Sequence, residues 1–131
     1  MKLSEAEVRK WVQIYSDDIM HFNEGDKEYV TRLACGLDAE ILPEDSGVIG
    51  YYVYKDFDCK KKLNVVILYC RPEKRGQYIR YMFRRIEEIA KQEGASDIII
   101  GASDSGYKEA RFNKVVQSFG YKESASFIKR I

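Results

Sequence analysis

The sequence predicts a mixed α/β (α+β) domain in which helices cover both faces of one sheet. Three observations carry this expectation. Residues 63–70 (LNVVILYC) are an almost unbroken apolar run, too short for a buried helix and rich in Val and Ile. That is the pattern of a central strand covered on both faces. Directly after it, Ile79, Met82, Phe83, Ile86, Ile89 and Ala90 fall on one helical face, with Arg80, Arg84, Arg85, Glu87, Glu88 and Lys91 largely on the others. Ile98-Ile99-Ile100 then forms a second short apolar strand. A strand–helix–strand unit of this kind makes its two strands parallel and its crossover right-handed.

The remaining elements follow in chain order. Ser4 with Glu7 has the spacing of a capping box, and Val8, Trp11, Val12, Tyr15 and Ile19 then recur at helical spacing, so a helix is expected over 4–20. Asn23-Glu24-Gly25-Asp26 interrupts it, and a second helix is expected over 26–35, stopped by Gly36. Residues 37–45 show no period and are expected to be loop. Residues 48–54 (VIGYYVY) are β-branched and aromatic, a strand signal. Val48, Gly50, Tyr52 and Tyr54 alternate with Ile49, Tyr51 and Val53, so one face belongs to the core and the other is available to line a cleft. The polar stretch 56–62 turns the chain into the central strand, Pro72 ends that strand, and Gly94 closes the helix after it. A further helix is expected over 106–118 with Phe112, Val115, Val116 and Phe119 inward, ended by Gly120, and a last strand over 121–131.

With 131 residues the chain is the size of one domain, and 45% hydrophobic residues with only 2 prolines supply one core. The 22 Lys+Arg nearly cancel the 21 Asp+Glu, a balance that argues against a non-specific nucleic-acid binder. One His and three cysteines without C-x-x-C spacing do not make a usual metal site, so none is expected. An odd cysteine count and a charged N-terminus point to a cytoplasmic protein with reduced thiols. No apolar run approaches the roughly 18 residues of a membrane span.

The most informative segment is CRPEKRGQYIRYMF, residues 70–83. A buried strand, a tight loop and a helix N-terminus together present backbone amides with partial positive charge, a site for an anion and above all for phosphate. Gly76 is expected to permit a turn that a side chain would hinder. Arg75 and Arg80 can add charge-assisted contacts to a pyrophosphate. An ordinary strand-to-helix connection with solvated arginines is the competing reading, since one glycine is a weak motif.

The stretch ILYCRPEKRGQYIRYMFRRIEEIAKQEGASDIII resembles the acetyl-CoA-binding core of the GNAT superfamily of N-acetyltransferases. The likeness lies in a strand ending before proline, the Arg-x-x-Gly-type loop, the long helix, the Gly-Ala turn and the following strand. Ser118-Phe119-Gly120-Tyr121 echoes a later family segment, and residues 19–25 (IMHFNEG) resemble a helix end of phage-encoded members. The resemblance covers 63–131 well and 4–55 in element order only. It implies a twisted, mostly antiparallel mixed sheet with a splayed parallel strand pair, here 65–70 and 97–102. It implies acetyl-CoA as cosubstrate, no metal, and transfer of an acetyl group to a primary amine of a small molecule or protein. Backbone groups of Leu68, Tyr69 and Cys70 would pair with the pantetheine arm. The segment Arg75, Gly76, Gln77, Tyr78, Ile79 and Arg80 would hold the pyrophosphate, and the later helix, with Arg111 and Asn113, would flank the cosubstrate.

The chain departs from the family pattern at four places. Tyr78 and Arg80 stand where glycine and glycine or alanine are usual, Val116 where many members have a tyrosine acid, and Asn64 where a carboxylate often opens the central strand. No catalytic residue can therefore be named. His21, Glu24 and Tyr52 are the candidates for contacting the acceptor. His21 reads more readily as a helix-terminal histidine, and Glu24 as a solvated acid. Cys70 reads as a small apolar residue rather than a nucleophile. Two functions stay open: an N-acetyltransferase, or a catalytically degenerate protein of the same fold that binds partners or builds an assembly such as a phage particle. A tyrosine-rich edge is compatible with a homodimer.

Overall fold

The computed structural model describes residues 1–101, 109–124, 127 and 129–131, with the side chains of 109–111 excepted. The chain divides into two compact units, Met1–Gly101 and Ala102–Ile131.

The first unit begins with helix α1, Glu5–Tyr15, whose capping box forms as expected: Glu7 N–H donates to the Ser4 hydroxyl, and Ser4 N–H to the Glu7 carboxylate. The helix does not run on regularly to residue 20. It widens into a π turn, Ser16–Met20, closed by His21 in the left-handed conformation (φ 52°). The buried Ser16 hydroxyl takes the N–H of Phe22 there, at 2.8 Å. Asn23 caps helix α2, Glu24–Cys35, so Gly25 lies inside the helix rather than in a break.

Among the described residues four strands make one sheet in the order β1-β2-β3-β4: Asp38–Ile41, Gly47–Lys55, Lys61–Cys70 and Asp97–Ile100. β1 corrects the expectation of a loop at 37–45; four residues are too few to show a period, and the strand is specified by its pairing with β2. β1, β2 and β3 are antiparallel, and β3 and β4 are parallel. Helix α3, Arg75–Gln92, makes the crossover between the parallel pair.

The alternation of side chains assigns the faces. Ala39, Val48 and Tyr69 pack with Trp11 of α1, and Val8, Val12 and Ala34 join α1 to α2 on the same side. The opposite set, Ile49, Tyr51, Leu63 and Val65, is also buried, as are Met82, Phe83, Ile86 and Ile89 on the inward stripe of α3. Arg85 of α3 reaches Glu40 of β1 with two hydrogen bonds, at 2.6 and 2.8 Å, on that second face. Helices thus cover both faces, as the apolar run at 63–70 requires. No helix among the described residues is long and apolar enough to cross a membrane.

The second unit holds helix α4, Glu109–Ser118, stopped by Gly120 at φ 91°. The expected start of this helix at 106 lies outside the described residues, as does the end of the expected strand 97–102. The last strand expected over 121–131 is not formed by the described residues there; 125, 126 and 128 lie outside them. Its alternation is interrupted by Lys122, Glu123 and Ser124.

Candidate functional site

The site is built at the end of β3. Pairing with β4 runs from Lys62↔Asp97 to Val65↔Ile100, while β3 continues to Cys70. Between those points the β2–β3 ladder slips: Gly50 faces Ile67 and Tyr51 faces Val65, which leaves Val66 as a bulge, 54% exposed. A bulge bends its strand and increases its twist.

Beyond Cys70 a short turn, Pro72–Lys74, feeds α3. Lys74 stands at its N-cap without lending a side-chain hydrogen bond to the first amides. These amides carry the positive end of the helix dipole. Gly76 is the second residue of α3 with ordinary helical backbone, so the expectation that a side chain would hinder the turn is not met. A Cβ added there meets nothing within 4 Å among the described residues. What the glycine leaves is open space over the first helical turn. Gly47 shows the opposite case: a Cβ there would come within 2.3 Å of the Tyr69 carbonyl oxygen, so β2 can approach the end of β3 only as glycine.

The cations of the loop are engaged by carboxylates from two distant segments. Arg75 donates through Nε to the Cys70 carbonyl at 2.9 Å and through Nη2 to Asp18 at 3.0 Å. The Tyr69 hydroxyl donates to the same Asp18 oxygen at 2.9 Å. Arg71 donates to the carbonyl and the carboxylate of Asp45, which also takes Lys10 at 2.7 Å. Lys10 and Arg71 both lie over the ring of Trp11, at 5.4 and 5.1 Å from its centroid. Tyr78 donates its hydroxyl to Glu44 at 2.6 Å, and Lys74 stands 3.5 Å from the same oxygen. The Tyr78 hydrogen bond, aided by Lys74, holds the Glu44 carboxyl below the usual range, and Glu44 in turn pushes the Tyr78 phenol up. Lys10 first, then Arg71, hold Asp45 low against the opposing effect of its partial burial.

Asp18, Glu44 and Asp45 were not foreseen from sequence. Their acidity is visible in Asp17-Asp18 and Glu44-Asp45, but the tertiary path that brings them to the loop is not. Asp18 reaches it because the π turn places it at the end of β3, and Glu44 and Asp45 because the β1–β2 connection, Pro43–Asp45, lies beside that end.

The other expected residues are placed as follows. Leu68 and Tyr69 lie on β3 past the bulge, Tyr69 buried against Trp11 and Tyr15. Cys70 is buried, and burial pushes its thiol up, which is the chemistry of a small apolar residue and not of a nucleophile. Gln77 and Arg80 are exposed and Ile79 half-buried. Glu24 is taken by Lys27 within α2. His21 serves through its backbone, donating N–H to the Ser16 carbonyl. Tyr52 is 41% exposed and accepts a hydrogen bond from Asn64 Nδ2 at 2.7 Å, on the sheet face that carries α1 and alongside Tyr54. Arg111 and Asn113 belong to α4 in the second unit; Asn113 is half-buried, and the side chain of Arg111 lies outside the description.

No protein-family model and no curated protein matches the chain. Solved structures do. A predicted acetyltransferase from Clostridium acetobutylicum, with acetyl-CoA, matches with a TM-score of 0.70 at 17% identity, over 100% of this chain and 94% of that one. An aminoglycoside acetyltransferase from an uncultured soil metagenomic sample, in complex with sisomicin, gives 0.70 at 13% identity, over 100% and 94%. A transcriptional regulator from Bacillus halodurans gives 0.74 at 13% identity, over 100% and 97%. The matched proteins thus differ in activity and share an architecture, and the fold of this chain is the acetyltransferase fold that its central segment resembles.

Proposed function

We propose that the chain is an acetyl-CoA-dependent N-acetyltransferase acting on a primary amine, with residues 1–131 working as one domain. The observation that carries this reading is the run of β3, through the Val66 bulge, into a helix whose N-terminus has open space above Gly76 among the described residues. Backbone along 68–70 would hold an extended arm, and the amides of 75–80 a pyrophosphate. The residues fit such a group by their backbone donors and by the cradle at Gly76, rather than by their cations. The fold match to a structure that holds acetyl-CoA supports the cosubstrate, and the match to one in complex with sisomicin supports an amine acceptor.

Bound acetyl-CoA supplies an activated thioester. The protein's part is to place the amine against it, to exclude water and to provide for charge at the carbonyl oxygen. Tyr52, on the sheet face that carries α1, is the candidate group for contacting the acceptor. Its oxygen accepts from Asn64, which leaves its own proton to donate.

One observation favours the second reading, a degenerate member that serves as a binding or structural subunit. The cations at 71, 74 and 75 are already paired with the chain's own carboxylates. Isothermal titration of acetyl-CoA and desulfo-CoA at low salt separates the two. Micromolar binding by both supports the enzyme and opens an amine screen; no binding to the folded protein, nor to a folded variant without the Glu44 carboxylate, transfers the case to the second reading.

A further inference from the structure

We propose that Glu44 is a latch on the mouth of α3: its carboxylate stands where a phosphate would, tied to Tyr78 and Lys74, and it must swing away before coenzyme A binds. The inference rests on the cosubstrate reading above. Both partners of Glu44 belong to the loop and first turn of α3, whereas Glu44 itself comes from the β1–β2 turn.

That turn is held in a conformation it does not prefer. Glu44 and Asp45 have φ of 58° and 54°, two successive residues with side chains in the left-handed region. The hydroxyl of Ser46, next in the chain and fully buried, has no hydrogen-bond partner among the described residues. Side-chain contacts hold the turn against these costs: Glu44 to Tyr78 and Lys74, Asp45 to Lys10 and Arg71. Once the Glu44 contacts are exchanged for a better anion, the turn has more favourable backbone conformations to occupy. That makes it a two-state element.

The latch also accounts for Tyr78. The family pattern has glycine at this position, and glycine has no group that could hold Glu44. The departure from the motif and the acidic turn are two halves of one device. A closed latch lowers the apparent affinity for the ligand by the fraction of molecules that are open.

The test titrates coenzyme A into the full chain and into its E44Q and E73Q variants, by calorimetry. Trp11 fluorescence serves as a parallel readout, because Arg71 lies 5.1 Å from that ring and binds Asp45 in the same turn. Glu73 is an exposed acid of the same loop outside the latch, so E73Q controls for the charge change alone. E44Q is expected to bind about tenfold more tightly, the shift from a latch closed about nine-tenths of the time, with E73Q unchanged. Binding by E44Q where the wild type shows none also supports the latch. If the wild type binds and E44Q is no tighter, or E73Q tightens as much, the latch is overturned and the cosubstrate reading stands. Failure of all three folded proteins to bind overturns both.

Discussion

Gly76→Asp separates the fold from the site, because the structure gives stability and binding opposite signs. Gly76 is the second residue of α3, has no positive φ, and has nothing within 4 Å of an added Cβ. Replacing glycine by aspartate in a helix interior gains about 0.3 kcal/mol, since aspartate is itself a weak helix former, and less this near the end. A carboxylate in the first turn adds about 0.3–1 kcal/mol through the helix dipole. The variant is therefore expected to be more stable by roughly 0.5–1 kcal/mol and to melt a few degrees higher. Against a bound phosphate the same carboxylate, about 5 Å away, repels by roughly 1–3 kcal/mol at effective dielectric constants between that of water and 20. That weakens coenzyme A binding by about ten- to a hundredfold. Circular-dichroism melts and calorimetric titration read the two effects. Unchanged affinity would refute the assignment of this loop as the phosphate cradle. A fall in melting temperature would refute the open space above Gly76.

Four further outcomes are expected. Gly47→Ala drives its Cβ toward the Tyr69 carbonyl oxygen at 2.3 Å and is expected to cost about 1–3 kcal/mol in urea unfolding, the reverse of Gly76→Ala. In thiol labelling of the folded protein, exposed Cys59 is expected to react first and buried Cys70 last, since burial keeps the Cys70 thiol protonated. NMR of labelled tyrosine is expected to show Tyr78 ionising above the ordinary tyrosine range, and E44Q to bring it down. On the acid side, Glu44 stays ionised below the ordinary carboxylate range, so its contacts with Tyr78 and Lys74 persist through that range and are lost only as pH falls through its lowered value.

The sheet and its helices were legible where pattern length exceeded local noise. The apolar run at 63–70 and the stripe from Ile79 to Ala90 each specify their own burial, and both lie as expected. β1 was not legible, because four residues carry no period and its identity comes from pairing with β2. The π turn was hidden because Ile19 keeps helical spacing with Tyr15 while the backbone between them gains a residue per turn. At the site, the sequence marked the backbone features: strand end, loop and helix start. It did not mark Asp18, Glu44 and Asp45, whose roles depend on which segments the fold sets side by side.

Those carboxylates change what a basic loop is worth as an argument. From sequence, Arg75 and Arg80 look like cations for a pyrophosphate, in a loop that also carries Arg71 and Lys74. In the structure Arg71, Lys74 and Arg75 each have an intramolecular task. Arg75 ties the Cys70 carbonyl and Asp18 together, and Asp18 also receives the Tyr69 hydroxyl, so the end of β3 is fixed to the π turn after α1. Arg71 fixes the β1–β2 turn through Asp45, beside Trp11. Lys74 helps Tyr78 hold Glu44. A chain of this fold that bound no nucleotide would still need these pairs to place its loop, so their basicity does not favour one function over the other. What bears on the cosubstrate proposal is backbone: amides at a helix start with no side-chain cap, and open space at Gly76. An Arg75→Gln variant would thus be expected to lower stability at least as much as affinity, whereas Gly76→Asp moves affinity alone in the unfavourable direction.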